Sequence, residues 1–143
     1  MNVIEHLRKH LNSVYDRNSF VRLLDISIAE MGEGEALLTM PVDPDKHTNL
    51  YHALHGGALA SLADTAMGVS CATLGNRVVT VEMNINFIKS AGKGETVRAQ
   101  GKVIHAGRQT MVVECDMRDN SGSLLGKARG TFMIIGKFEA DEA

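Results

Sequence analysis

The stretch from Gly56 to Leu74 constrains the fold more than any other part of this chain. Two glycines open it, and then Ala58, Leu59, Ala60, Leu62, Ala63, Ala66, Met67, Val69, Cys71, Ala72 and Leu74 leave it almost no polar side. A helix apolar nearly all round is expected to be buried all round, unlike an amphipathic surface helix. Asp64 interrupts the run. A carboxylate in such surroundings is costly unless hydrogen-bonded or otherwise compensated, and an acid so placed is a candidate for base chemistry.

The rest of the chain reads as material to wrap that helix. Val3, Ile4, Leu7, Leu11, Val14 and Tyr15 have helical spacing, and a second short helix is expected to carry Phe20, Val21, Leu23 and Leu24. Residues 26 to 31 and 35 to 42, joined by Gly-Glu-Gly, predict a hairpin. A long polar loop then delivers Asn49 and His55 to the helix start. After the helix, Val79, Val81, Met83, Ile85 and Phe87 alternate with Thr80, Glu82, Asn84 and Asn86, the period of a strand with one wet face. Strands over 94 to 106, 109 to 119 and 124 to 135 follow, with hairpin turns at Gly107-Arg108 and Asn120 to Ser123. This order is α+β, and the economical packing is one antiparallel sheet curled around one helix. A single domain is expected over residues 1 to 143, with 1 to 24 as a helical flank and 139 to 143 as a frayed tail.

Composition narrows the function classes. The 143 residues are 44% hydrophobic and 22% charged with net charge -2, so a packed core is affordable and a basic nucleic-acid footprint is lacking. No signal peptide or membrane span is visible, and Cys71 and Cys115 read as free buried thiols, so the cytoplasm is the expected location. His47, His52 and His55 raise a metal alternative, but their spacing fits no zinc pattern and no further ligand completes a set, so no metal is expected.

A helix beginning at Gly57 offers unpaired N–H groups and a partial positive charge of roughly +0.5. An acyl carbonyl placed there is polarised, and the oxyanion formed on attack is held more strongly than the ground state. Asp64 is the candidate to activate a water or to attack directly. The two stand seven residues apart, ~10 Å along the axis, too far for one carbonyl to meet both in one chain. A two-fold dimer with antiparallel helices brings Gly57 of one subunit to Asp64 of its mate. Simple alternation points Thr80 away from the helix, so its meeting Asp64 requires a β-bulge or a contribution across the dimer.

The composite of His55-Gly56-Gly57, Asp64 nine positions after the histidine, a preceding Asn49, and the strand VVTVEMNINF resembles the hotdog-fold acyl-CoA thioesterases, in particular the phenylacetate-degradation (PaaI-like) branch. The resemblance covers about residues 20 to 136. It implies a long central helix wrapped by a curved antiparallel sheet, dimers paired through the 78 to 88 strands and paired again as a dimer of dimers, an acyl-CoA substrate and no separate cofactor. It also implies that Asn49 binds or orients the carbonyl or the water, that His55 supports the turn or contacts the acyl-thioester, and that Thr80 holds the water. Gly56, Lys89, Ser90 and Arg108 are the candidate substrate contacts, the two cations for the coenzyme A phosphates. A non-catalytic acyl-CoA binding module and a hotdog hydratase acting on enoyl or 3-hydroxyacyl thioesters are the competing readings.

Overall fold

The structure, a computed structural model, describes residues 3 to 138. Two helices lead, α1 (Val3–Asp16) and α2 (Ser19–Leu23). A hairpin of β1 (Ser27–Gly32) and β2 (Glu35–Pro41) follows, then the central helix α3 (Gly56–Ala72). The chain closes with β3 (Asn76–Phe87), β4 (Thr96–Ala106), β5 (Thr110–Arg118) and β6 (Leu124–Lys137). All six strands form one antiparallel sheet in the order β1-β2-β4-β5-β6-β3. β3 and β1 are therefore its edges. The expected tail at 139 to 143 lies outside the described residues.

The sheet wraps α3 because both supply apolar faces at the right period. Met111, Val113, Cys115 and Met117 point inward along β5, Ala36, Leu38 and Met40 along β2, and Leu125, Ala128 and Phe132 along β6, all against Leu59, Leu62, Ala63, Ala66 and Met67. Close approach needs small residues. A Cβ on Gly101 of β4 would sit 2.9 Å from the Ala66 carbonyl oxygen and would also strike the Ser70 hydroxyl, so glycine there lets sheet and helix touch. Emptying the position of Leu62, which is fully buried, is expected to cost about 2 to 5 kcal/mol. α1 packs on this core through Leu11, and Asn18 caps α2, its Oδ1 accepting from the Phe20 and Val21 amides. Among the described residues no helix is long and apolar enough to cross a membrane.

Two expectations are corrected. α3 is not buried all round: Gly57 is exposed, and Ser61, Asp64, Thr65 and Gly68 are half-buried on the same stripe. A six-stranded sheet with β3 as an edge covers most of the helix and leaves this stripe open in a single chain. The face of β3 also changes partway along. Val78, Met83 and Ile85 pack on the core, while Val79 and Val81 are about half exposed. The cause is a β-bulge between Thr80 and Glu82, where Thr80 pairs with Phe132 and Glu82 with Thr131. One extra residue puts the two halves of the strand out of phase.

Candidate active site on the open face of the central helix

The bulge turns Thr80 toward α3, and its hydroxyl donates to Asp64 Oδ1 at 2.7 Å within the same chain. Asp64 is half-buried rather than enclosed, and no partner among the described residues occupies its second oxygen, Oδ2. A carboxylate held through one oxygen and open at the other is arranged to accept a proton from a water. α1 reaches this neighbourhood: burial, with Cys71 and Asp64 adding to it, pushes the Tyr15 hydroxyl up to about 12.

Seven residues earlier, the helix start is built by the 43 to 55 loop. Asn49 organises a tight turn, its Oδ1 accepting from the Tyr51 and Ala53 amides at 2.9 and 3.2 Å, with His52 in the left-handed region at φ 62°. Asn49 thus spends its side-chain oxygen on the loop. The expectation that Gly57 offers an unpaired donor also needs correcting. His55 is the N-cap of α3, and its Nδ1 accepts the Gly57 N–H at 2.8 Å, as caps do for the second donor of a helix. No capping acceptor among the described residues reaches the Gly56 N–H, and Ser61 donates its hydroxyl back to the Gly57 carbonyl at 2.8 Å. Gly56 is tight for another reason, since a Cβ there would lie 3.3 Å from the Phe87 ring.

Two clefts flank the helix start. One, of about 270 Å³, is lined by Leu54, Gly56, Leu59, Phe87, Lys89 and Ser90. The other, of about 290 Å³, is lined by Phe20, Leu24, Lys46, His55, Gly57 and Ser61. Lys89 lies 3.5 Å from Asp119, whose Oδ1 accepts from the Ser121 hydroxyl and the Ser121 and Ser123 amides. These bonds, the Ser121 hydroxyl foremost, hold the Asp119 carboxyl below the usual carboxylate range. Lys46 is paired with Asp25 at 2.8 Å.

The structure does not bring all the sequence-derived candidates together in one chain. His55, Gly56, Gly57, Lys89 and Ser90 gather at the helix start, by the Phe87 end of β3, while Asn49 lines neither cleft and holds the preceding loop. Asp64 and Thr80 form a second cluster. Arg108 sits in the β4–β5 turn next to Thr110, which pairs with Met133, itself the partner of Val79; it belongs to the Thr80 end of the sheet, away from Lys89. The three loop histidines do not converge either. His47 is fully buried with both ring nitrogens engaged, and among the described residues no group of three or more metal-ligating side chains assembles. Cys71 and Cys115 are buried free thiols, each pushed up to about 12 chiefly by burial, which keeps them protonated and unreactive. His47 and Asp119 escape a reading by periodicity, because each acts through loop hydrogen bonds that leave no pattern in the residue order.

The profile of the thioesterase superfamily matches residues 51–125. The acyl-coenzyme A thioesterase PaaI of Escherichia coli K12 is 31% identical over 135 residues, covering 94% of this chain and 96% of that protein. The E. coli PaaI structure superposes with a TM-score of 0.89 at 29% identity over 95% of this chain and 98% of that one. Human acyl-coenzyme A thioesterase 13 is 28% identical over 131 residues, covering 89% and 93%. A hypothetical thioesterase of Streptococcus pneumoniae TIGR4, solved with coenzyme A, matches with a TM-score of 0.76 at 28% identity over 80% and 91%. That protein was also solved with an aspartate or a threonine replaced by alanine, two positions 16 apart, the separation of Asp64 and Thr80. With a helix-wrapping antiparallel sheet and an aspartate on the helix's open stripe, the chain belongs to the thioesterase superfamily, as a thioester hydrolase of the PaaI-like hotdog branch.

Proposed function

We infer that this protein hydrolyses acyl-CoA thioesters at a centre shared by two subunits. The observation that carries the reading is the Thr80–Asp64 hydrogen bond on the open stripe of α3, ~10 Å from the glycine turn of the same helix. Two-fold pairing of α3 stripes covers that face and sets Gly57 of one subunit beside Asp64 of the other. The edge strand β3 favours such pairing, since a long edge with half-exposed Val79 and Val81 is poorly protected from a second copy. It also carries the Arg108 end of one subunit toward the Lys89 end of its mate, so both cations can meet one coenzyme A.

In this scheme the thioester carbonyl takes the N–H donors of Gly56 and Gly57, the His55 ring turning aside to release the second. Asp64 Oδ2 accepts a proton as a water attacks the carbonyl carbon, while Thr80 holds Oδ1. The oxyanion collapses, the C–S bond breaks, and the thiolate leaves and is protonated; its low basicity makes further leaving-group assistance dispensable. Products are the free acid and coenzyme A, which enters as part of the substrate, and no metal or organic cofactor is used. Two buried thiols suit a reducing compartment, the cytoplasm.

Thiol release from a panel of acyl-CoAs is the test. The wild-type protein is expected to turn over, and D64N to lose about 10²- to 10⁴-fold in kcat with its oligomeric state unchanged. Undiminished turnover in D64N removes Asp64 from the chemistry, and binding without release favours the binding module.

A further inference from the structure

The loop that caps α3 contains a group the mechanism does not use. His47 has no exposed surface, and both of its ring nitrogens are committed. Nδ1 accepts the Asp43 amide at 3.0 Å, so Nε2 carries the proton and donates to the Leu24 carbonyl at 2.6 Å. Its own carbonyl accepts the His55 amide at 2.7 Å. One residue therefore ties together the end of α2, the start of the capping loop and the N-cap of α3.

What these three elements enclose is the cleft of Phe20, Leu24, His55, Gly57 and Ser61. An acyl-CoA has an anionic nucleotide end and an apolar acyl end, and each of the two clefts at the helix start sets apolar side chains beside one cation. Leu54, Leu59, Phe87 and Ile88 stand with Lys89 in one, and Lys89 lies 3.5 Å from Asp119; in the other, Phe20 and Leu24 form the wall beside Gly57 and Ser61, on the open stripe that leads to Asp64, and the rim cation Lys46 is tied to Asp25. We propose that His47 is a positioning residue that sets acyl selectivity, by latching Leu24 against the capping loop so that α2 walls an acyl cleft beside Gly57. The proposal rests on the thioesterase reading given above.

The test compares kcat and KM for acetyl-, hexanoyl- and phenylacetyl-CoA across H47A, H47Q and L24A. With the latch cut, H47A is expected to raise KM for the two larger acyl groups about tenfold more than for acetyl-CoA, with kcat changing less. Gln, whose amide can still donate to the Leu24 carbonyl, recovers part of the loss. L24A leaves the bond to the Leu24 backbone in place and reproduces the KM pattern, and H47A/L24A is no worse than the larger single effect, as expected of two changes acting through one wall. An equal loss for all three substrates in folded H47A, or a loss confined to kcat, overturns the latch. If H47A does not fold, an unchanged acyl preference in both H47Q and L24A overturns it. A wild-type protein releasing no thiol from any acyl-CoA sinks the thioesterase reading itself and the proposal with it.

Discussion

A carboxylate is noticed in a sequence when its neighbours are wrong for it, and Asp64 stands out for that reason. Its partner Thr80 does not, because alternation along VVTVEMNINF assigns the threonine to the far face and only the bulge brings it round. A hydrogen bond to a charged group contributes about 1.5 to 3 kcal/mol, so T80V is expected to lower kcat about ten- to hundredfold with KM little changed, read by steady-state thiol release. An unchanged kcat would reduce Thr80 to a packing residue. His55 was legible as a residue that supports the glycine turn, but not which donor its imidazole takes, the Gly57 N–H that the turn was expected to offer. A cap of this kind depends on a side-chain rotamer, which residue order does not encode.

At the scale of elements, helices and strands followed from period and turn chemistry, and the β4–β5 and β5–β6 hairpins fall where Gly107-Arg108 and Asn120 to Ser123 indicated. The reach of Lys89 did not. It meets Asp119, which organises the β5–β6 turn through the Ser121 and Ser123 groups. Because folding depresses the Asp119 pKa, its contribution is present above the unfolded value near pH 3.9 and is lost as pH falls through the lower folded value. Wild-type protein is therefore expected to lose Tm on acidification in the pH window below about 4. D119N should have a lower Tm at neutral pH and a shallower acid decline, as thermal melts between pH 2 and 7 would reveal; parallel declines would argue against the linkage.

For the whole molecule, the question is how two half-sites ~10 Å apart on one helix serve one carbonyl. A shared centre makes a sharp expectation. G57V, whose added methyls crowd the His55 ring, and D64N should each be nearly inactive alone. After unfolding and refolding together, mixed dimers carry one centre with both native groups, and about a quarter of wild-type activity should return if subunits pair at random. No recovery from a mixture verified to contain mixed dimers would place both groups in a single subunit. V81K on the β3 edge is expected to shift the protein toward monomers in size-exclusion chromatography with light scattering and to lower activity in parallel. The architecture was open to sequence reading because one apolar helix has few ways to be covered; the uncovered stripe was not, since composition counts what is apolar and not which neighbour supplies the cover.

Val81, the spare residue between the Thr80–Phe132 and Glu82–Thr131 pairs, lets one strand do two incompatible jobs: upstream it hands a hydroxyl to Asp64, downstream it fills the core with Met83 and Ile85. Removing that residue would force a choice between catalysis and packing. The deletion is expected to yield either a folded protein with a stranded carboxylate or a poorly folded one, and chain length at this point is thereby as much a part of the chemistry as any side chain.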